Sequence, residues 1–243
     1  MAARSGLTPS SDLRPHTALR SRAEAFSAAT LTDAVGRICR HRAHILDLVS
    51  PTPGRKLFGR AVTIRYVPYR SDMSQDDGLS FARIFYEATH EYSEGAVLVL
   101  DSAGQHDVSV GGGAKFSRLH NHRLAGLVTD ARIRDFDELA AYDPVFYCRG
   151  EALQAGARDL MTLAANVPVS LYGATVVPGD YVYADSSGVV IIPAGYLEQV
   201  LRSAAEIHAE NEAILSVIRE EDPRKAAIGN GRRGLNEMRP PPN

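Results

Sequence analysis

The sequence contains no tryptophan, only two cysteines and no clear excess of charge of either sign. Cys39 and Cys148 lie far apart along the chain, which excludes a disulfide-rich scaffold and a cysteine-based zinc site. The 27 basic and 29 acidic residues give a net charge of −2, so no overall basic field indicates a nucleic-acid partner. We therefore expect a protein whose cysteines stay reduced inside the cell.

Long hydrophobic runs are also missing from the sequence. No stretch approaches the roughly 20 apolar residues that a transmembrane helix requires, and no early apolar run resembles the core of a signal peptide. Residues 1–16 are expected to form a flexible arm, and residues 222–243, rich in arginine and proline, an extended one. We expect one cytoplasmic domain over residues 1–243, without a membrane partner.

The middle of the chain alternates apolar runs with stretches of helical periodicity. The apolar runs predict strands, and the periodic stretches between them predict helices near residues 113–123 and 135–142. This order favours a parallel α/β core. Residues 167–193 contain short β runs with Pro-Gly-Asp and Ser-Ser-Gly turns, which predict an antiparallel β lobe, and residues 194–221 predict a C-terminal helix. The predicted core strands are residues 60–68, 95–104, 125–131 and 144–150.

The N-terminal part of the chain is expected to be helical. Two helices are predicted between Thr17 and Arg42, and Thr30 or Thr32 is the expected N-cap of the second. The arginines of RICRHRAH, residues 37–44, are interpreted as the polar face of this helix rather than as an RNA-binding patch.

A glycine-rich loop, GGGAKF at residues 111–116, lies between a predicted strand and a predicted helix. Consecutive glycines permit unusual backbone angles and let free N–H groups contact an anion at a helix start. The loop matches neither the Walker A pattern nor the dinucleotide fingerprint, so a turn without a ligand and an anion site both remain open. Nearby, HNH (120–122) places two histidines on nearly opposite sides of a helix, which predicts surface histidines rather than a metal site.

Charged residues crowd the end of the strand predicted at 125–131. Asp135 is followed three residues later by Glu138, the pattern of a helix N-cap with an acidic N3 residue, and Arg134 could pair with a neighbouring carboxylate. Asp185 interrupts a β run and is expected to make local turn bonds. The position of Asp130 leaves both a structural and a functional role open.

Together, the glycine loop and the charged strand end resemble the RraA-like family, which includes the class II 4-hydroxy-4-methyl-2-oxoglutarate/oxaloacetate lyases. The family loop usually reads Gly-Glu/Asp/Gly-Leu-Leu-Ala, and its strand end reads Asp-Gly-x-x-Arg-Asp. Here the loop is GGAKF (112–116), the strand end is DARIRD (130–135), and the gap between them suits the family. The resemblance covers residues 30–193. It implies a swivelling-domain-like RraA fold and a homotrimer or homohexamer with sites between subunits.

The resemblance also implies an activity. The protein would be a lyase that depends on Mg²⁺ or Mn²⁺ and cleaves a carbon–carbon bond of a 2-oxo acid, as an aldolase or decarboxylase, through a pyruvate-type enolate. Arg134 would bind the substrate carboxylate, Asp135 would hold the metal, and Glu212 of a neighbouring subunit would complete the catalytic set. The other residues implied in substrate binding are Gly112, Gly113, Ala114, Lys115 and Asp130.

The sequence departs from the family pattern at three positions. Ala131 replaces the usual glycine after the strand-end aspartate, Gly113 stands where the lyases carry an acidic residue, and Lys115 replaces an aliphatic residue. These changes favour a specialised pathway enzyme with an altered substrate. The alternative is an RraA-type regulator that binds and inhibits a ribonuclease, although that branch tends to lose the aspartate that is kept here as Asp135.

Overall fold

The structure is a computed structural model that describes residues 14–73 and 77–222. Its helices pack against one face of a mixed β-sheet, and a β-hairpin at residues 169–176 packs against the other. They are α1 (Arg14–Glu24), α2 (Ala28–Ile38), α3 (Phe81–Thr89), α4 (Gly113–Asn121), α5 (Phe136–Ala140) and α6 (Leu197–Arg219), with short 3₁₀ turns at Asp77–Leu79 and Ala194–Tyr196.

The strands form one large sheet and two small ones. The large sheet has the order β1-β12-β11-β2-β3-β4-β6, and β8 pairs with the far end of β2. The hairpin β9–β10 and the parallel pair β5–β7 are separate. The strands are β1 (His44–Ile45), β2 (Leu57–Pro68), β3 (Val97–Asp101), β4 (Gly126–Thr129), β5 (Arg132–Ile133), β6 (Val145–Tyr147), β7 (Gly150–Glu151), β8 (Leu160–Ala165), β9 (Val169–Leu171), β10 (Ala174–Val176), β11 (Tyr181–Asp185) and β12 (Gly188–Ile192).

Strand β2 joins the parallel and antiparallel halves of the large sheet. Its residues 57–60 pair antiparallel with β11, its residues 61–65 run parallel to β3, and its residues 64–68 pair antiparallel with β8. Strands β3, β4 and β6 continue the parallel part. The predicted α/β class with a parallel core is therefore confirmed. The predicted antiparallel strands are β9 to β12, and β11 and β12 extend the same sheet through β2.

Alternating side chains of the parallel strands supply cores on both faces of the sheet, as the period of two of a β-strand requires. Leu98 and Leu100 pack with α3 and α4 on one face, where Phe85 and Phe116 are completely buried. Val97 and Val99 pack on the other face with the hairpin β9–β10. A third cluster buries α2 and α6 against β11 and β12.

The N-terminal region corrects two predictions. Ser27, and not Thr30 or Thr32, is the N-cap of α2, and its hydroxyl accepts the N–H of Thr30. The helix ends at Ile38, so RICRHRAH is not the polar face of a helix, because only its first two residues are helical. Helix α1 already begins at Arg14 within the predicted arm, whereas residues 1–13 and 223–243 lie outside the described residues.

The carboxyl ends of β3 and β4 meet at one edge of the sheet because the two strands are parallel neighbours. Strand β3 ends at Asp101 and leads through residues 102–112 to α4, and β4 ends at Thr129 and leads to the charged segment 130–135. Ligands of parallel α/β sheets bind at this edge. The glycine loop and the charged segment are therefore brought together by topology.

The described residues contain no helix that is long and apolar enough to span a membrane. Both cysteines are free thiols, as expected. Cys148 is buried, and this burial raises the pKa of its thiol to about 12, which makes it a poor nucleophile at neutral pH.

Candidate active site

Main-chain hydrogen bonds tie the glycine loop to the charged segment. The N–H of Val110 donates to the carbonyl of Arg132 (3.0 Å), and the N–H of Arg132 donates to the carbonyl of Val108 (3.1 Å). One step further, the N–H of Arg134 donates to the carbonyl of Gly111 (2.8 Å). The loop and the segment thus run side by side, which fixes Arg134 and Asp135 against the start of α4.

Asp135 occupies the N-cap position of α5, but its side chain does not cap that helix. Its backbone is left-handed (φ 65°, ψ 47°), and its Oδ2 accepts the N–H of Gly113 (3.0 Å) at the start of α4. The N–H of Phe136 is satisfied instead by the Glu151 carboxylate (3.0 Å). The capping interpretation of Asp135 was therefore wrong, because a partner distant in sequence takes over the cap and directs the Asp135 carboxylate to the loop.

The two glycines at the start of α4 allow carboxylates to approach the backbone closely. A Cβ on Gly112 would lie 2.3 Å from Asp135 Oδ2. A Cβ on Gly113 would lie 2.0 Å from Glu138 Oε2, and Glu138 is held there by the Tyr142 hydroxyl, which donates to Oε1 (2.6 Å). A side chain at either position would displace a carboxylate. The glycines of this loop therefore have a packing reason that is independent of any ligand.

Arg134, Asp135 and the loop line one cavity of about 240 Å³. This is below the range of drug-sized pockets and suits an organic acid of a few carbon atoms. Arg134 and Asp135 are partly exposed in it, and Arg134 Nη2 lies 3.7 Å from Asp135 Oδ1. The other lining residues are Tyr66, Ser109, Val110, Gly111, Gly112, Ala114, Lys115, Ala155, Gly156, Ala157 and Leu160.

Lys115 is folded back over the loop into the same cavity. Its Nζ donates to the carbonyl of Val110 (2.8 Å) and lies 4.6 Å from the centroid of the Phe81 ring. A Cβ on Gly111 would lie 2.8 Å from Lys115 Cδ, so the glycine makes room for this path. Burial lowers the pKa of Lys115 to about 8, and the positive charge of Arg118 acts in the same direction.

A larger groove of about 920 Å³ lies at the opposite edge of the sheet. Gly95, Ala125 and Val145, which line it, stand at the amino ends of parallel strands. This is the edge where parallel α/β sheets do not usually place their ligands. We therefore assign the candidate active site to the smaller cavity, which is lined by five of the site residues expected from the sequence: Gly112, Ala114, Lys115, Arg134 and Asp135.

Asp130 is buried beside the site and is not among the residues that line the cavity. Its Oδ1 accepts the N–H of Ser102 (2.9 Å), and its Oδ2 lies 3.2 Å from His106 Nδ1. Burial raises the pKa of the Asp130 carboxyl, while the Ser102 N–H and His106 act in the opposite direction. Asp130 thus braces the turns after β3 and β4, and its expected contact with substrate stays a prediction.

Of the other predicted site residues, Gly113 and Glu212 do not line the cavity, and neither do the charged residues Arg132 and Asp185. Arg132 pairs with Asp107 (3.0 Å), which stabilises the loop. Asp185 accepts the N–H of Ser187 (2.8 Å), as expected of a turn residue, and also the N–H of Ala28 (2.8 Å) at the start of α2. Glu212 is exposed on α6, and its role in a neighbouring subunit stays a prediction.

The two histidines of HNH have different surroundings. His120 is exposed and lies 3.5 Å from Asp143, while His122 packs edge-on against the Phe85 ring. Within the described ranges, no group of three or more histidine, cysteine, aspartate or glutamate side chains could hold a metal ion. A metal in the cavity would therefore rely on few protein ligands.

Sequence reasoning missed Tyr66, Phe81, His106, Glu151 and Tyr142. They lie, in that order, in β2, in α3, in the turn after β3, in β7 and in the chain after α5, and they contact the loop or the charged segment and its helix. Apart from the contact of Tyr142 with Glu138 four residues earlier, these contacts join residues distant in sequence, so no local pattern predicts them.

Known proteins resemble this chain in sequence and fold. A family model described as RraA-like, Aldolase/RraA, matches residues 28–191. DlpA of Legionella pneumophila is 26% identical over 194 residues, which are 79% of this chain and 30% of that protein. A Halalkalibacterium halodurans protein named "Putative 4-hydroxy-4-methyl-2-oxoglutarate aldolase" is 32% identical over 141 residues, which are 58% of this chain and 65% of that protein. The match thus spans less than two thirds of either relative.

A solved structure gives the same result for the fold. Streptomyces coelicolor RraAS2, described as an unusual member of the RNase ES inhibitor RraA protein family, superposes with a TM-score of 0.71 at 25% identity. The superposition covers 83% of this chain and 98% of RraAS2. The family model, the relatives and the fold agree with the resemblance carried by the glycine loop and the Arg134–Asp135 pair, and the chain belongs to the RraA-like family.

Proposed function

We propose that the protein is a divalent-metal-dependent carbon–carbon lyase that acts on a 2-oxo acid. The observation that carries the proposal is the adjacent pair Arg134 and Asp135 in one small cavity with the start of α4. The aldolase name of the Halalkalibacterium relative supports the same reaction class.

Arg134 provides the binding group for the substrate carboxylate. Its guanidinium is permanently charged, lies partly exposed in the cavity, and can form the two parallel hydrogen bonds that a carboxylate accepts. Its main chain is fixed through the Gly111 carbonyl, so the direction of the side chain is limited before substrate arrives. The same positive charge stabilises the negative charge that develops on an enolate when the carbon–carbon bond breaks.

Asp135 fits a site for Mg²⁺ or Mn²⁺. Its Oδ2 accepts the Gly113 N–H and its Oδ1 lies 3.7 Å from Arg134 Nη2, so Oδ1 is the oxygen without a close hydrogen bond to the loop and would be the one to hold the metal. Magnesium commonly takes one or two protein carboxylates and completes its octahedron with water and substrate oxygens, so the small protein ligand set is compatible. When bound, the metal would polarise the 2-oxo oxygen as a Lewis acid.

The start of α4 adds a further electrostatic contribution. The first N–H groups of a helix carry partial positive charge and face an anion favourably. The Gly113 N–H is already used by Asp135, so the predicted contact of this loop with the substrate carboxylate falls to Gly112, Ala114 and Lys115. The proposal also includes a homotrimer or homohexamer in which Glu212 of a neighbouring subunit completes the site.

The test is pyruvate release from oxaloacetate by the purified protein. We expect decarboxylation faster than with Mg²⁺ alone, and we expect EDTA to abolish the difference. A panel of 4-hydroxy-2-oxo acids tests aldol cleavage on the same preparation. Rates equal to those of free metal across the whole panel would refute the proposed function.

A second candidate function is supported by the similarity to RraAS2, which is described as a member of a ribonuclease-inhibitor family. This regulator would bind a ribonuclease rather than transform a small acid. Asp135 argues against it, since the regulatory branch tends to lose this residue. Inhibition of an RNase E-type enzyme without any 2-oxo acid turnover would favour the regulator.

A further inference from the structure

We propose that Lys115 carries the proton of the lyase reaction, as the base that starts aldol cleavage and the acid that completes it. This inference rests on the proposed function and names the proton carrier of that same site. It assigns Lys115 a role different from simple attraction of a substrate anion.

Neighbouring groups hold the side chain of Lys115 in place. Its side chain turns back over Gly111, where a Cβ would lie 2.8 Å from Lys115 Cδ, and its ammonium donates to the Val110 carbonyl (2.8 Å). The Phe81 ring lies 4.6 Å from Nζ and the Tyr66 ring 6.0 Å. An ammonium has three donors, so the bond to Val110 leaves two for the cavity that Lys115 shares with Arg134 and Asp135.

The other titratable groups that line this cavity are less suited to move a proton. The Arg134 guanidinium does not lose its proton in proteins. Asp135 is held by the Gly113 N–H and is the proposed metal ligand. Tyr66 is buried, which raises the pKa of its phenol well above its usual range. Lys115, in contrast, is near its titration point at neutral to mildly alkaline pH, because aromatic burial and the nearby Arg118 disfavour the ammonium.

Aldol cleavage balances without a net change in protons, whereas decarboxylation takes up one proton from water. In aldol cleavage of a 4-hydroxy-2-oxo acid, the neutral amine takes the proton of the 4-hydroxyl group. The C3–C4 bond breaks, C4 becomes a carbonyl, and the electron pair forms the enolate of the 2-oxo acid. The resulting ammonium then returns the proton to C3. In oxaloacetate decarboxylation there is no hydroxyl proton, so the ammonium protonates C3 after CO₂ leaves and recovers its proton from water.

The two reactions therefore need opposite protonation states of Lys115, so their rates should change in opposite directions with pH. Because the pKa of Lys115 is about 8, the kcat of aldol cleavage should rise about tenfold between pH 7 and pH 9 as the amine becomes neutral. Pyruvate formation by decarboxylation should fall over the same range, because the ammonium form that protonates C3 becomes scarce. The other titratable or charged groups near the amine are Tyr66, Arg134, Asp135 and Arg118. Titration of none of them predicts that the rates of the two reactions change in opposite directions with pH.

The experiment measures both pH profiles for wild type, Lys115→Arg and Lys115→Met, with Lys56→Met as the control. Arginine keeps the positive charge but cannot serve as the base, so Lys115→Arg should lose aldol cleavage by about 100-fold or more in kcat with little change in KM. Lys56 lies at the opposite edge of the sheet, where its Nζ donates to the Glu24 carbonyl, and its variant should retain both profiles.

The outcomes separate the two proposals. A wild type without metal-dependent turnover refutes the proposed function and this inference with it. An active wild type whose Lys115→Arg variant keeps its cleavage rate and pH profile refutes the role of Lys115 alone, because charge then suffices. A covalent adduct on Lys115 after treatment with a 2-oxo acid and borohydride also overturns the proton-carrier role, in favour of a Schiff base.

Discussion

The substitution Asp135→Asn separates the structural role of Asp135 from its proposed role as a metal ligand. The residue has a left-handed backbone, a conformation that asparagine and aspartate tolerate better than other non-glycine residues. An asparagine side-chain oxygen can also accept the N–H of Gly113. We therefore expect Asp135→Asn to keep the local structure and to lose only the negative charge.

The magnitudes follow from these contacts. Asn should cost about 1 kcal/mol, because a charged hydrogen bond becomes a neutral one at a partly exposed position. Ala loses both the hydrogen bond and the left-handed preference, which together cost about 3 kcal/mol. For a chain of this size, about 1 kcal/mol lowers the melting temperature by about 2–4 °C, so Ala should melt about 6–12 °C below wild type.

The assay measures melting temperature, Mg²⁺ binding and oxaloacetate decarboxylation on one preparation of each variant. We expect Asp135→Asn to melt near wild type and to lose metal-dependent turnover almost completely, because a hard divalent cation requires the anionic oxygen. Asp137→Asn is the matched control, since Asp137 is exposed in the first turn of the same helix. Retained turnover in Asp135→Asn would contradict the metal assignment, and equal stability of the Asn and Ala variants would contradict the backbone argument.

Three further predictions test the site. Arg134→Lys should reduce kcat/KM by at least tenfold with little change in melting temperature, because an ammonium cannot form the bidentate pair; steady-state kinetics check this, and normal kinetics would make Arg134 a structural residue. Gly113→Ala should displace the exposed Glu138 carboxylate, which its Cβ would meet at 2.0 Å, so its effect on thermal unfolding should change when Glu138→Ala is added; additive effects would contradict the contact. Wild type should gain stability relative to Lys115→Met as pH rises from about 8 toward 10.5, because the folded state releases the Lys115 proton at a lower pH than the unfolded chain. Unfolding of both proteins at several pH values tests this, and a stability difference that does not change with pH would contradict the lowered pKa of Lys115.

The sequence predicted the parts of the fold that depend on local periodicity. The apolar runs became β2, β3, β4 and β6, and the long C-terminal pattern became α6. The gathering of Gly112, Arg134 and Asp135 in one cavity was also predictable, because the carboxyl ends of neighbouring parallel strands must meet.

The errors arose where distant residues compete for the same backbone groups. Asp135 has the sequence pattern of an N-cap, but Glu151 satisfies the Phe136 N–H and Asp135 turns to Gly113. In α2 the cap is the local residue Ser27, and the distant acceptor is Asp185 of β11, which accepts the N–H of Ala28. A propensity argument ranks residues within one turn, so it cannot include an acceptor that only the folded chain supplies.

The charges that follow β4 divide into two groups with different consequences for mutation. Asp130 and Arg132 are paired with His106 and Asp107, and these contacts hold the turns beneath the cavity. Arg134 and Asp135 are fixed through their main chain and through Gly113, so their charged ends remain in the cavity. The side chains of this segment that hold the turns differ from those that line the cavity. Loss of Arg132 should therefore affect mainly stability, and loss of Arg134 mainly turnover. The crowding of charge at this strand end is thus a framework that holds two charged groups in place, the arrangement that the proposed substrate carboxylate and metal would require.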